Sequence, residues 1–150
     1  IIAILDLMIS NKNLEIDNNF ISLFDFKIKY DVNQIKHKNR MEKSLLESEF
    51  LPIGIKELTQ GSKEAIEVLE SLIGSTIVRL DGDIVIHEKI FKYAKSKVLN
   101  HFKKKKKILL SEFRDMIGSN RKYSLALLEY MDRLGITKRV DDYRVLGNNT

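Results

Sequence analysis

The sequence predicts an α+β fold, mainly α with small β-hairpins, arranged as tandem winged-helix (winged helix-turn-helix) domains. One observation is a pattern of helix end, short turn, strand, acidic turn and strand that occurs three times, with hairpins near residues 14–23, 77–86 and 136–146. The other is that two helices joined by a tight Gly-Ser turn precede each of the last two hairpins. A helix-turn-helix followed by a hairpin is typical of a winged helix.

The first copy of the pattern has a helix end at residues 4–8 and a hairpin at residues 14–23, but it lacks a front half. Residues 1–30 are therefore expected to be the C-terminal remnant of a preceding winged-helix domain. Two complete domains are expected at residues 31–87 and 88–150, with no flexible linker between them.

The first complete domain opens with a polar helical pattern over residues 32–49. Pro52, the only proline, ends that helix and introduces a short one near residues 54–59. The dipeptide Gly61-Ser62 supplies a helix-ending glycine and an N-cap serine for a helix over residues 63–73. The hairpin with the Asp81-Gly82 turn completes this domain.

The second complete domain is predicted to begin with a long helix over residues 88–105, because apolar residues occur there at helical intervals. Its later elements are expected to be a short strand over 108–110, a helix over 112–117 capped by Ser111, and a helix capped by Ser119 that ends at Gly135. Gly118 separates the two short helices, and the hairpin over residues 136–146 closes the domain.

Composition excludes several classes of function. The 150 residues contain no cysteine, so disulfide frameworks and cysteine nucleophiles are excluded. The three histidines lie on different predicted elements and no P-loop occurs, so no metal site and no catalytic residue are predicted. Asp81 and Asp83 flank a glycine between two strands and are interpreted as turn residues. We expect a non-catalytic fragment without a cofactor and without a membrane-spanning segment.

Charge is distributed unevenly along the chain. Residues 1–87 contain 10 Lys/Arg and 14 Asp/Glu, a balance of −4, whereas residues 88–150 contain 16 and 7, a balance of +9. A strongly basic domain attracts polyanions. A nucleic-acid site is therefore expected in the second complete domain.

The best candidate for that site is the stretch Gly118 to Tyr123. The N-terminus of a helix binds anions through unpaired N–H groups and its dipole, and Ser119 adds a hydroxyl there. Arg121 and Lys122 place two cations in the same turn, although a solvated helix start with chance cations is the alternative. For Tyr123 the helical spacing favours the core over a base-stacking platform.

Further basic residues lie nearby in the sequence. Lys138, Arg139 and Arg144 flank the acidic turn of the last hairpin, where they either reach nucleic acid or are solvated. The run of lysines is a candidate for auxiliary phosphate contacts, with a solvated helix end as the alternative. Its members are Lys103, Lys104, Lys105, Lys106 and Lys107.

The segment from Phe113 to Leu146 resembles the C-terminal end of the bacterial selenocysteine-specific translation elongation factor family, SelB. The resemblance lies in Gly118-Ser-Asn-Arg-Lys-Tyr123, in the Leu-Leu-Glu-Tyr helix and in Thr137-Lys-Arg-Val-Asp-Asp-Tyr-Arg-Val-Leu146. Two positions depart from the family pattern. Asn120 stands where a serine is expected, and Asp141 replaces a wing glycine, which requires Asp141 to adopt a left-handed conformation.

The resemblance implies a row of winged helices behind a GTPase and tRNA-binding part, with the last one binding the SECIS hairpin of selenoprotein mRNA. It implies that residues 31–87 are a spacer and that residues 88–150 bind RNA to direct selenocysteine incorporation at UGA codons. RNA contacts are then expected at Ser119, Asn120, Arg121, Lys122 and Tyr123. The parent protein is expected to bind GTP and Mg²⁺, the ribosome and selenocysteinyl-tRNA, as a cytoplasmic monomer.

Two other functions are compatible with the fold. A winged-helix transcriptional regulator would lay its recognition helix along the major groove of DNA, which needs exposed polar side chains beyond the first turn. The outer positions expected here, Ser124, Leu125, Leu128 and Glu129, offer a poor reading face. A protein-interaction module is the other alternative.

Overall fold

The structure is a computed structural model that describes residues 14–17, 20–23 and 29–149. Strands β1 (Leu14–Asp17) and β2 (Phe20–Leu23) pair antiparallel, with Leu14 opposite Leu23. This hairpin confirms the strands predicted over residues 14–23. The helix end expected at residues 4–8 lies outside the described residues.

The middle module has the helix and strand order of a winged helix. Its elements are α1 (Val32–Ser48), α2 (Ile55–Thr59), α3 (Lys63–Leu72), β3 (Ile77–Asp81) and β4 (Ile84–His87). Helix α1 begins in a capping box, in which the side chains of Asp31 and Gln34 each accept a hydrogen bond from the other's backbone N–H. A bridge between Gly54 and Ile84 adds a third strand position beside the β3–β4 hairpin.

The last module repeats this order. Its elements are α4 (Glu88–Phe102), β5 (Ile108–Leu109), α5 (Leu110–Ile117), α6 (Arg121–Arg133), β6 (Thr137–Val140) and β7 (Tyr143–Leu146). The three strands form an antiparallel sheet in the order β5-β7-β6. Phe91, Ala94 and Val98 are buried on α4, which confirms the predicted apolar face. Both modules therefore confirm the predicted winged-helix fold.

The two modules pack directly against each other. Strand β4 ends at His87 and α4 begins at the next residue. Phe50, Leu80 and Ile86 of the middle module are buried in the same hydrophobic cluster as the helices of the last module. The rings of Phe50 and Tyr93 stack with their centroids 5.9 Å apart. This shared core fixes the position of the last module on the middle one.

Two predicted features of the last module were wrong. Helix α5 begins at Leu110, so Ser111 lies inside the helix and does not cap it. The chain passes directly from β5 into α5, and Glu112 accepts a hydrogen bond of 2.9 Å from the Leu109 N–H instead. Helix α4 ends at Phe102 rather than near residue 105. The lysines that follow would place like charges four residues apart on a helix, which disfavours its continuation.

Candidate nucleic-acid interface

The turn between α5 and α6 consists of Gly118, Ser119 and Asn120. Gly118 has φ 66°, a left-handed conformation that glycine adopts at no steric cost, and it ends α5. The Asn120 side-chain oxygen accepts a hydrogen bond of 2.8 Å from the Tyr123 N–H. Asn120 is therefore the N-cap of α6 and satisfies one of the N–H groups that a helix start leaves unpaired.

The prediction that Ser119 caps this helix is wrong by one residue. The Ser119 hydroxyl donates a hydrogen bond of 2.6 Å to the backbone carbonyl oxygen of Phe50 in the middle module. In that module the corresponding cap is Ser62, which accepts from the Ala65 N–H. Asparagine and serine are about equally good N-caps, so local preference alone does not distinguish the two positions.

Arg121 and Lys122 lie in the first turn of α6, as predicted, and the shift of the cap to Asn120 makes them its first two residues. Both are exposed, and no acidic residue occurs in the first turn. Within the part of the chain that the structure describes, neither side chain forms an ion pair or a hydrogen bond. Their charges add to the positive end of the helix dipole, and this turn is therefore well suited to bind an anion.

Tyr123 lies in the core, so the prediction that it contacts RNA was wrong. The residue is only 2% exposed, so its ring has no free face on which a base could stack. Burial also raises the pKa of its hydroxyl above the usual range, and the group stays protonated. The core alternative predicted from helical spacing is correct.

The middle of α6 is covered by its neighbours. Ser124 and Leu128 were expected on the outer face, but both are fully buried, and the Ser124 hydroxyl donates to the Asn120 carbonyl oxygen. Helix α6 packs against α5 on one side and also contacts β3 of the middle module, so two sides of it are occupied. Its exposed residues are Arg121, Lys122 and Arg133, all at its ends.

A groove of about 390 Å³ separates the start of α6 from the wing, which is the β6–β7 hairpin. Arg121 lines it from the helix, and Arg139 and Asp142 line it from the wing. Arg139 is exposed, and its Nε donates to the Asp141 carbonyl oxygen at 3.1 Å. The structure thus brings the predicted residues Arg121 and Arg139 to the two walls of one groove.

The wing turn has the backbone conformation that the sequence required. Asp141 has φ 52°, which confirms the expected left-handed conformation. Lys138 is exposed but lies opposite Val145 in the register, whereas Arg139 lies opposite Arg144. Because side chains alternate between the faces of a strand, Lys138 points away from the groove that Arg139 lines.

Arg144, which was predicted to contact RNA or to be solvated, is instead buried in a pair with Asp132. It is 2% exposed, and its Nη2 and Nε atoms lie 3.3 Å from Oδ2 of Asp132 on α6. The Thr137 hydroxyl donates to the other oxygen of the same carboxylate. A guanidinium held in this way ties the wing to α6 and is not free to leave the pair for a phosphate.

The predicted lysine run lies in the connection between α4 and β5, and all five lysines are exposed. Two of them have partners within the protein. The Nζ atom of Lys105 lies 3.1 Å from Glu112, and that of Lys107 lies 5.1 Å from the centroid of the Tyr143 ring. Hydrogen bonds from the Leu109 N–H and from Lys105 lower the pKa of the Glu112 carboxyl.

Lys122 borders a different hollow from Arg121. This crevice of about 170 Å³ lies between the first turn of α6 and the middle module, with Asp83 on its other wall. Neither Asp83 nor Phe50 was predicted to lie near the site. The hydrogen bond between Ser119 and Phe50 spans 69 residues of sequence, so no local pattern indicates it. The local sequence indicates only that Ser119 and Asn120 can both cap a helix, which leaves one of the two side chains for another contact.

Two further observations concern other classes of function. Among the described residues, no group of three or more His, Asp or Glu side chains is arranged to hold a metal ion. No described helix has the length and apolar character needed to cross a membrane.

Comparison with known proteins gives the same fold. A family model described as "Elongation factor SelB, winged helix" matches residues 100–146. A search of curated protein sequences gives no match.

Two of the solved structures that are similar to the chain come from bacterial elongation factors. One is the mRNA-binding domain of elongation factor SelB from E. coli in complex with SECIS RNA, at 19% identity and a TM-score of 0.66, covering 79% of this chain and 100% of that one. The other is bacterial selenocysteine-specific elongation factor EF-Sec, at 19% identity and a TM-score of 0.62, covering 97% of this chain. The chain spans 23% of the length of that factor.

The structural likenesses establish the tandem winged-helix fold, and the family match covers most of the last module, including the turn before α6, α6 itself and the wing. Residues 100–146 therefore match the winged-helix family model of elongation factor SelB, within a chain that has the tandem winged-helix fold.

Proposed function

We propose that the last module binds the SECIS hairpin of selenoprotein mRNA and thereby directs selenocysteine incorporation at UGA codons. The observation that carries the proposal is the first turn of α6, where Arg121 and Lys122 are exposed and have no partner among the described residues, while the middle of the helix is buried. The family match over residues 100–146 and the likeness to an mRNA-binding domain in complex with SECIS RNA support the choice of ligand.

This geometry suits a hairpin loop better than a duplex. Side chains cannot read the deep, narrow groove of duplex RNA, so proteins read unpaired bases in loops and bulges. A compact cationic turn can hold one bend of a loop, with a phosphate on the free N–H groups and on Arg121. Arg139 on the opposite wall of the groove is placed to contact the next phosphate or an unpaired base.

The same geometry disfavours reading of DNA. A winged helix that reads the major groove needs polar side chains along its recognition helix. Here α6 exposes residues only at its two ends. The middle module would also obstruct a duplex, because it packs against the turn before α6 through Ser119 and lines the crevice beside Lys122.

The remaining roles belong to the parent protein. We propose that the middle module acts as a spacer that also holds the RNA-binding turn in place, and that the chain is a non-catalytic part of a cytoplasmic, monomeric elongation factor. The GTPase, with its GTP and Mg²⁺, and the contacts with the ribosome and selenocysteinyl-tRNA are expected in other parts of that factor.

A competition experiment tests the proposal. The chain is bound to the labelled SECIS hairpin of a bacterial selenoprotein mRNA, and unlabelled hairpin or duplex DNA of equal length is added. We expect the hairpin to displace the label at a concentration at least about tenfold lower than the DNA, because specific binding adds base contacts to the shared phosphate term. Equal displacement by DNA would favour a DNA-binding regulator. Absence of binding to both at low salt would leave a protein-interaction module.

A further inference from the structure

A second basic hollow lies on the outer face of the last module's sheet. It has a volume of about 490 Å³, and its lining combines an apolar floor with a cationic rim. The floor consists of Leu109, Tyr143 and Val145, and the rim of Lys105, Lys106 and Lys107 together with Glu112, whose carboxylate pairs with Lys105. We call this feature the outer hollow.

The outer hollow faces away from the groove between α6 and the wing. Tyr143 and Val145 alternate with Arg144 along β7, and Arg144 points towards α6, where it pairs with Asp132. The side chains of Tyr143 and Val145 therefore lie on the opposite face of the sheet. Leu109 lies on the two-residue edge strand β5 and borders both hollows. A flexible chain can pass from one hollow to the other around this short edge.

The lining of the outer hollow selects a particular chemistry. Tyr143 is half-buried, and the ammonium group of Lys107 lies over its ring. The Lys107 side chain is exposed, and its four-carbon chain is flexible. Lys106 is exposed and has no partner among the described residues, whereas Lys105 pairs with Glu112. An aromatic ring beside cations binds an unstacked base and its phosphate, because the base stacks on the ring while the phosphate meets the ammonium groups. A duplex would offer its phosphates but no base face.

We infer that the outer hollow binds an unpaired nucleotide segment of RNA, with a base stacked on Tyr143 and its phosphates on Lys106 and Lys107. The inference rests on the proposed function for its choice of RNA as the partner. When the segment binds, Lys107 moves from the tyrosine ring to the phosphate. The segment lies next to the hairpin in the same mRNA and reaches the outer hollow around β5.

The test uses single-stranded oligouridylate of about 10 nucleotides that contains 5-iodouridine. Binding of this single strand does not require recognition of a hairpin. We expect the full chain to bind it and to cross-link at Tyr143, as mapped by mass spectrometry. Tyr143→Leu keeps an apolar side chain and should weaken binding at least about fivefold, in line with the loss of one stacked base. Arg121→Ala should weaken hairpin binding more than it weakens oligouridylate binding, and Tyr143→Leu should do the reverse, which separates the two sites.

A matched control is available on α4. Tyr93 is exposed and also has a lysine over its ring, since Lys97 Nζ lies 5.0 Å from the ring centroid. Tyr93→Leu should bind oligouridylate as the wild type does. Equal binding by Tyr143→Leu and wild type, a cross-link at another residue, or full displacement by oligoglutamate of the same charge would overturn the inference. If the chain does not bind the hairpin but still cross-links at Tyr143, the proposed hairpin function is wrong. The outer hollow would remain an RNA site in that case.

Discussion

The hydroxyl of Ser119 donates a hydrogen bond of 2.6 Å to the backbone carbonyl oxygen of Phe50. This contact connects two segments of the chain. One is the turn before α6, which precedes Arg121 and Lys122, and the other is the segment that directly follows α1. Phe50 is buried and its ring stacks on Tyr93, so both its backbone and its side chain contact the last module. The middle module therefore fixes the position of the turn before α6 as well as supporting the last module's core.

Ser119→Ala should lower the free energy of unfolding by about 1 kcal/mol, because the Phe50 carbonyl loses its hydrogen bond in a partly buried place. Chemical denaturation monitored by circular dichroism measures this change. The matched control is Ser111→Ala, since Ser111 is exposed within α5 and should change the stability by less than about 0.5 kcal/mol. Equal effects of the two substitutions would mean that the contact with Phe50 contributes nothing.

Asn120 allows stability and binding to be separated. Asn120→Ala removes the N-cap of α6 and should cost about 1 kcal/mol, whereas Asn120→Asp keeps a capping oxygen and should retain the stability of the wild type. The added negative charge should nevertheless weaken binding of the SECIS hairpin, because it lies where a phosphate is expected. Ser62→Asp, at the equivalent cap of α3, should leave RNA affinity unchanged. Undiminished affinity of Asn120→Asp would rule out a phosphate at this turn.

The pair of Arg144 and Asp132 should behave as a structural element. Asp132→Ala leaves a buried guanidinium without its carboxylate and should lower the free energy of unfolding by about 3 kcal/mol. Asp115→Ala removes an exposed partner of Arg114 and should cost less than about 1 kcal/mol. Thermal unfolding of the two variants measures the difference. A small effect of Asp132→Ala would show that the wing is not held to α6 by this pair.

His87 should make the stability of the chain sensitive to acid. It is buried at the junction between β4 and α4, and its Nδ1 accepts a hydrogen bond of 3.1 Å from the Lys89 N–H. Burial lowers the pKa of His87 below its usual value of 6.5, an effect that the Lys89 charge reinforces and that Glu42 and Glu88 oppose. The unfolded state therefore binds a proton more readily, so stability is complete above that usual value and falls as the pH drops below it.

His87→Asn keeps a hydrogen-bond acceptor at the N-cap but cannot titrate in this range. Urea denaturation at about pH 7.5 and about pH 5.5 should show a smaller loss of stability in this variant than in the wild type. His37→Asn, at a half-buried histidine near Glu64, serves as the control and should keep the acid sensitivity of the wild type. The same loss in all three proteins would contradict the role of His87.

Local patterns were sufficient to predict the order of elements and the cationic turn. Gly118 ends α5 because a left-handed residue is needed there, and Arg121 and Lys122 begin α6. The left-handed conformation of Asp141 followed from a hairpin turn that lacks the usual glycine. Each of these features depends on interactions between residues close together in the chain.

Features that depend on distant contacts were predicted wrongly or not at all. Arg144 is buried because β7 lies between β5 and β6, and the pairing of Arg144 with Ile108 is not visible in the local sequence. The role of Ser119 depends on Phe50 in another module. The place of Tyr143 on the outer face was predictable from strand alternation, but recognising the outer hollow also required the position of the lysine run.

RNA phosphates are proposed to bind at the first turn of α6, and a salt titration of hairpin affinity tests this binding most directly. Affinity for the SECIS hairpin is measured at several salt concentrations for the wild type, Arg121→Ala and Lys63→Ala, the last of which changes the equivalent first residue of α3. Arg121→Ala should weaken binding at least about fivefold and reduce the slope of log affinity against log salt by about 1, while Lys63→Ala should match the wild type. Coincident lines for Arg121→Ala and the wild type would contradict the account.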